Sequence, residues 1–257
     1  MIKNVVLLGA GNLATQLGQA LYESGINIVQ VYSRSTESAR ALAGKVNASF
    51  TTDLSAIKEH CDLYIVAVKD DVLAEVASQV AFGNSMVVHT AGSIGMQALS
   101  VYTENFGVFY PFQTFTKSKK IDFSKVPVCL EANTPENIKK LEDLAKKISY
   151  KVIRLDSKQR QYLHLSAVFS CNFVNHLYAL SEQILKDNNM GLELLFPLIQ
   201  ETTEKAMKLS PSEAQTGPSI RDDQEIIRKH LEMLEDKSEL QEIYRLLSDS
   251  IYKLHHS

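Results

Sequence analysis

Val5-Val6-Leu7-Leu8-Gly9-Ala10-Gly11-Asn12-Leu13-Ala14 constrains this chain more than any other stretch. A short apolar run stops at Gly-Ala-Gly, and apolar residues then recur at Leu13, Leu17 and Leu21, the spacing of one helix face. A buried strand therefore feeds a helix through a glycine turn. Gly9 permits the turn, Gly11 lets backbone approach a pyrophosphate, and Ala14 stands where a third small residue lets the helix pack on the strand. Unpaired N–H groups at the helix start, at the positive end of its dipole, favour phosphate. The pattern is weak alone, but here it has the strand before it and the helix after it that a dinucleotide site requires. Asn12 and Leu13 join Gly9 and Gly11 as candidate cofactor contacts.

A second strand, 26–32, ends at Ser33-Arg34-Ser35-Thr36. An NAD site carries an acid here, bonded to the ribose 2′-hydroxyl. No acid stands between Glu23 and Glu37, and two hydroxyls flank a guanidinium instead. That set suits the 2′-phosphate of NADP, so Ser33, Arg34 and Ser35 are assigned to it. The competing reading makes Ser35 the cap of the next helix and Arg34 a solvated loop charge.

Strand and helix patterns then alternate: helix 37–45, strand 48–51, helix 54–60, strand 62–68, a helix from Asp70 through Val80, and strand 86–89. A strand at 108–115 is broken by Pro111. A β-α-β unit follows at 126–132, 135–148 and 151–155, with Thr134 as N-cap and Pro135 in the first turn. This alternation predicts an α/β, Rossmann-type doubly wound, mostly parallel sheet. Ligands of such sheets lie beyond the carboxyl ends of the strands, which adds Val68, Lys69, Thr90, Ala91 and Gly92 to the cofactor set.

From Asp156 the strand signal disappears, and helices are expected at 159–186, 191–209, 222–234 and 238–254. Residues 1–155 are read as the NADP-binding domain and 156–257 as an all-α domain. With 45% hydrophobic and 22% charged residues and a net charge of −3, the chain lacks the basic footprint of a nucleic-acid binder. It also lacks the apolar run of about 18 residues that a membrane helix needs. The first strand begins almost at Met1, which leaves no room for a leader. Cys61, Cys129 and Cys171 have no metal-ligand spacing and suit reduced thiols, so a cytoplasmic protein without a metal is expected.

The helix at 159–186 is apolar nearly all round, which predicts burial, yet His164, Cys171, Asn175 and, further round, Asn172 fall on one face. Such a stripe orients a substrate carbonyl or imine, with His164 the acid–base candidate; polar groups satisfied inside a helix interface are the alternative. In Thr216-Gly217-Pro218-Ser219-Ile220-Arg221 a rigid turn presents Arg221, able to grip a carboxylate or phosphate, unless Asp222 simply caps the next helix and Arg221 pairs with a surface acid. Thr90 and Ser93 are placed to bind ribose or substrate, His89 is read as packed under the sheet, and Tyr110 and Gln113 are weaker candidates.

Gly9-Ala10-Gly11-Asn12-Leu13-Ala14 and Ser33-Arg34-Ser35 resemble the start of pyrroline-5-carboxylate reductase and of the deazaflavin-dependent NADP oxidoreductases. The remainder is similar to a branch that joins a Rossmann-like domain to a helical domain of unknown function. His89-Thr90-Ala91-Gly92-Ser93, Tyr110-Pro111-Phe112-Gln113-Thr114-Phe115, the His164–Asn172 helix and Thr216-Gly217-Pro218 with Arg221 carry that similarity. The resemblance implies an NADP-binding oxidoreductase that dimerises through its helical domain, with the active site between the domains. It names no substrate and leaves open whether a deazaflavin takes part. The Lys-x-x-x-Asn of the hydroxyisobutyrate and phosphogluconate dehydrogenases is missing, since Val168 stands four residues before Asn172. The Ser-Gly-Pro loop of pyrroline-5-carboxylate reductase is replaced by Ser170-Cys171-Asn172.

The expectation is NADP(H)-dependent hydride transfer to or from a small anionic keto, hydroxy or imino compound, with His164, Asn172 and Arg221 as the catalytic set. The rival is a non-catalytic NADP(H)-binding protein whose helical half is an interaction surface.

Overall fold

The structure, a computed structural model, describes residues 1–256. Its eight strands form one sheet in the order β3-β2-β1-β4-β5-β6-β7-β8. In chain order these are β1 (Asn4–Leu8), β2 (Asn27–Tyr32), β3 (Ser49–Thr51), β4 (Leu63–Val66), β5 (Met86–His89), β6 (Phe106–Pro111), β7 (Val128–Ala132) and β8 (Val152–Arg154). Every neighbouring pair is parallel except β6 and β7, whose antiparallel register sets Val108 against Glu131 and Tyr110 against Cys129. The sheet changes direction of growth at β1, with β2 and β3 on one side and β4 onward on the other.

Strand period two divides the core into two layers. Val5 and Leu7 pack with Leu17 and Leu21 of α1 (Asn12–Glu23), Leu42 of α2 (Thr36–Lys45) and Leu141 of α4 (Pro135–Ala145). Val6 and Leu8 face the other way, toward Leu73 and Val76 of α3 (Leu73–Ser78). Helices on both faces make the sheet doubly wound. The first turn leaves no choice of residue, because Gly9 has φ +128 and a Cβ there would lie 2.1 Å from the Ala67 carbonyl oxygen.

The helix expected at 54–60 is only a 3-10 turn, Leu54–Ala56. Sheet side chains take the backbone groups that a helix would have used. Gln30 accepts the Lys58 N–H (2.8 Å) and donates to the Ala56 carbonyl (3.0 Å), while Tyr64 Oη donates to the Lys58 carbonyl (2.7 Å).

After β8 come α5 (Ser157–Ala167), a π turn (Val168–Phe173), α6 (Val174–Asp187), α7 (Phe196–Lys208), α8 (Gln224–Glu232) and α9 (Ser238–His256). The chain divides into two compact units, Met1–Cys171 and Asn172–Ser257. Leu155 closes the sheet through its N–H to the Leu130 carbonyl (3.1 Å), and α5 stays with the first unit because the Ser157 N–H and the Arg160 guanidinium are both bonded to Glu131 of β7.

Two expectations for the long helix change. The π turn takes one extra residue and resets the helix face, so the stripe read at constant 3.6 spacing does not run unbroken. The helix is also not buried: from α5 through α6 only Arg160 is enclosed, and Leu165 is 51% exposed. Apolar composition predicted a covered helix, and its side chains other than Arg160 are half-buried or exposed instead. Among the described residues, no apolar side chain beyond Ile148 is buried.

Candidate active site

A crevice at the carboxyl ends of β1 and β4 is where an open α/β sheet accepts a ligand, since the strand order turns there. A cavity of about 570 Å³ occupies it. Its wall begins with Gly9, Gly11, Asn12 and Leu13, continues through Ser33 and Arg34, takes in Val68 and Lys69, and reaches Thr90, Ala91, Gly92 and His164. The structure thus brings eleven of the twelve expected cofactor contacts and one of the three expected catalytic residues to one cavity. Ser35 is the exception. Its hydroxyl accepts the Ser38 N–H at 3.2 Å and caps α2, the competing reading of that residue. Its neighbour Ser33 accepts the Ser35 N–H at 3.3 Å.

The phosphate end fits a dinucleotide. Ser35, Thr134 and Asp156 cap α2, α4 and α5 with side-chain oxygens, whereas Gly11 heads α1 with no side-chain bond to its first-turn N–H groups. A Cβ on Gly11 would meet nothing within 4 Å, and its φ of −75 is open to any residue. No contact within the protein therefore demands glycine at this position. What glycine preserves is free space in front of unclaimed donors at the positive end of a helix.

Leu54, Val72, Glu75 and Val76 also line the cavity, and sequence reasoning missed them. Val72 and Val76 are one helical turn apart, but α3 is too short to give a periodic signal. The Tyr32 phenol, also on the wall, is shifted up mainly by burial, with the Arg34 charge acting against that shift.

The far end is built by Tyr110, Gly92 and His164. Tyr110 is the next-to-last residue of β6, Gly92 follows β5, and His164 comes from the last turn of α5. Tyr110 Oη and His164 Nδ1 are 3.0 Å apart. Gly92 makes the approach possible, because a Cβ there would lie 2.6 Å from His164 Nδ1 and 2.8 Å from Tyr110 Oη. Burial pushes the phenol up to about 12, so it stays protonated across the neutral range. It donates to Nδ1 where that nitrogen is bare and accepts from Nδ1–H where it carries hydrogen, since the roles follow the imidazole tautomer. Tyr110 and Gln113, weaker candidates in the sequence, both face the cavity. At the mouth, Ser93 Oγ donates to the Asp70 carboxylate.

His89 takes no part in proton transfer near neutral pH. It is fully buried, Nδ1 accepts the Ala91 N–H at 3.2 Å, and burial, aided by the Arg160 charge, lowers its pKa to about 4.

Asn172 and Arg221 belong to the second unit, where both are exposed. Arg221 follows Gly217 (φ +112) and precedes Asp222 (φ +53), so two left-handed residues bracket its loop. The cap of α8 is Asp223, which accepts the Ile226 N–H at 3.2 Å, not Asp222.

The chain is similar to known proteins over nearly its whole length. Residues 4–92 match the family described as NADP oxidoreductase, coenzyme F420-dependent, and residues 126–251 match a domain of unknown function (DUF2520). A Bacteroides fragilis protein described as a putative NADP oxidoreductase is 47% identical, with 98% of each chain covered and a TM-score of 0.94. A protein of Thermotoga maritima shares the fold at 20% identity, with 98% of each chain covered and a TM-score of 0.74. So does 1-pyrroline-5-carboxylate reductase of Streptococcus pyogenes at 13% identity, with 97% of this chain and 98% of that one covered and a TM-score of 0.60. No curated protein matches.

Proposed function

The chain belongs to the NADP oxidoreductase family that the Bacteroides protein represents, and from that premise we propose that it catalyses NADP(H)-dependent hydride transfer to or from a small anionic keto, hydroxy or imino compound. The observation that carries this reading is the Tyr110–His164 pair closing over Gly92 at the far end of a cavity that starts at the phosphate turn.

The first-turn N–H groups of α1 hold the pyrophosphate, with Gly11 supplying the room. Arg34 and Ser33 take the 2′-phosphate, which selects NADP over NAD. When bound there, the nicotinamide supplies or accepts the hydride. His164 holds the proton that must accompany it. In the reducing direction the imidazolium gives its Nε2 proton to the substrate oxygen or nitrogen and keeps Nδ1–H bonded to Tyr110 Oη. In the oxidising direction Nε2 of that tautomer takes the proton back. The Tyr110 hydroxyl accepts from Nδ1–H in these states and donates when Nδ1 is bare, so one phenol serves each protonation state without moving. In this reading Arg221 grips the anionic group of the substrate and Asn172 hydrogen-bonds the reacting atom.

The protein acts as a homodimer through its C-terminal helices. What supports this is a second unit with no buried apolar side chain among its described residues, while Leu198 and Leu246 are 63% and 71% exposed. A body of this size without an apolar core does not offset its conformational entropy, so a second copy covers those faces. The three cysteines are free thiols, which suits the cytoplasm. Among the described residues no helix is long and apolar enough to cross a membrane.

The test is NADPH consumption with a panel of imino and keto acids, run on wild type and His164→Gln. Loss of an acid–base group costs about 10²–10⁴-fold in turnover, and NADPH affinity should be retained. Unchanged turnover in His164→Gln removes that residue from the mechanism.

A further inference from the structure

Four residues of α5 touch the loop that follows β5. The Met96 N–H donates to Ser157 Oγ at 3.0 Å, Arg160 Nη2 donates to the Ile94 carbonyl, and Gln161 Nε2 donates to the Ser93 carbonyl at 2.9 Å. His164 then lies directly against Gly92. The spacing of 157, 160, 161 and 164 is that of one helix face. The same face is fastened to β7 by a single carboxylate. Glu131 accepts the Ser157 N–H at 3.0 Å and its hydroxyl at 2.8 Å, and takes the other arm of the Arg160 guanidinium through Nη1. Glu131 pairs with Val108 across the antiparallel strands, two residues from Tyr110, so both side chains leave the same face of the sheet. Leu163 of α5 packs on that face against the cluster holding Val108, Tyr110 and Cys129.

Energetics argue against a purely stabilising role. The Arg160 side chain is 1% exposed and that of Glu131 15%. Enclosing such a pair costs several kcal/mol of desolvation per ion, and apolar replacements of similar volume are often equal or better in stability. Arg160 Nε also has no hydrogen-bond partner. A leucine–methionine contact would hold α5 on the sheet, but it would slide and rotate. The charged fork cannot, because its two arms are fixed in one plane and end on different elements, β7 and the Gly92 loop.

We propose that Glu131 and Arg160 are positioning residues that set the height and rotation of α5, and thereby hold the His164 imidazole in register with Tyr110 and Gly92. The proposal rests on the acid–base reading of His164 for its catalytic consequence but not for its geometry, so the two are separable. Neither residue touches the reacting atoms.

The test compares wild type with Glu131→Leu/Arg160→Met and with Arg160→Lys, in full-length protein. The first readout needs no substrate: the ¹⁵N resonances of His164, identified by their loss in His164→Gln. Wild type should show one fixed tautomer in the neutral state, held by the Tyr110 contact. The apolar pair should fold with a melting temperature near wild type, yet give His164 averaged tautomers. Arg160→Lys keeps the charge but can serve only one of the two partners, and should fall between them. On a working substrate, kcat of the apolar pair should fall at least tenfold while the NADPH Kd changes less than threefold. A folded variant with wild-type His164 resonances overturns the proposal, and Arg160→Lys with those resonances does so if the apolar pair fails to fold. Should the resonances change while kcat stays constant, the positioning stands and the acid–base reading of His164 fails.

Discussion

Between pH 7 and pH 5 the first unit should lose about 2 kcal/mol of stability through His89 alone. The side chain ends β5 with no exposed surface, accepting the Ala91 N–H at Nδ1, and its pKa is lowered from 6.5 to about 4 by burial and secondarily by Arg160. Asp70 and the Gly95 backbone act in the opposite sense without reversing the shift. Because the folded value lies below the unfolded one, the unfolded chain binds more protons between them. Stability therefore falls as pH drops through about 6.5, and the loss is complete only below about 4. Each tenfold preference is worth about 1.4 kcal/mol, which gives about 2 kcal/mol at pH 5 and about 3 kcal/mol at full development. Urea unfolding at pH 7, 6 and 5 measures it, with His89→Gln as the reference. The variant starts less stable but lacks this titration, so the gap between the two proteins should narrow by about 2 kcal/mol from pH 7 to pH 5. Parallel curves would refute the reasoning, because every other titrating group is common to both.

Further perturbations test other parts of the account. Gly11→Ala should fold like wild type, since its Cβ meets nothing within 4 Å, yet bind NADPH at least tenfold more weakly by calorimetry. Gly92→Ala drives a methyl into His164 and Tyr110 and should reduce kcat more than it weakens NADPH; unchanged kcat would show the pair idle. Tyr110→Phe keeps the ring but removes the partner of Nδ1, and should lower kcat while leaving melting temperature within a few degrees. Leu198→Asp with Leu246→Asp should turn a dimer into a monomer by analytical ultracentrifugation; a wild-type monomer would remove the dimer proposal altogether.

The sheet was legible because its signals are local: four-to-six-residue apolar runs, each closed by glycine or a polar turn, need no knowledge of distant partners. The glycine turn between β1 and α1 was legible for the same reason. The antiparallel join of β6 to β7 was not, since strand direction depends on pairing and carries no local mark. Ser35 was ambiguous because one hydroxyl three residues before an N–H serves as a cap as readily as a ligand. The exposed α5–α6 surface was misread because composition reports what a helix must bury against, not whether the same chain provides it. His164, singled out for the chemistry of its side chain, does line the cavity, whereas Tyr110 reads as an aromatic near a strand end, and only the fold sets it 3.0 Å from the imidazole. Glu131 and Arg160 gave no signal, because nothing in a sequence joins a strand carboxylate to a helix guanidinium 29 residues away.

The central claim is that the crevice at the end of β1 is an NADP(H) site. Titrating the purified protein with NADPH and with NADH, followed by nicotinamide fluorescence, tests it most directly. Tight NADPH binding with NADH at least tenfold weaker, and that preference lost in Arg34→Ala, is the expected result. Failure of both nucleotides to bind would contradict the account at its root.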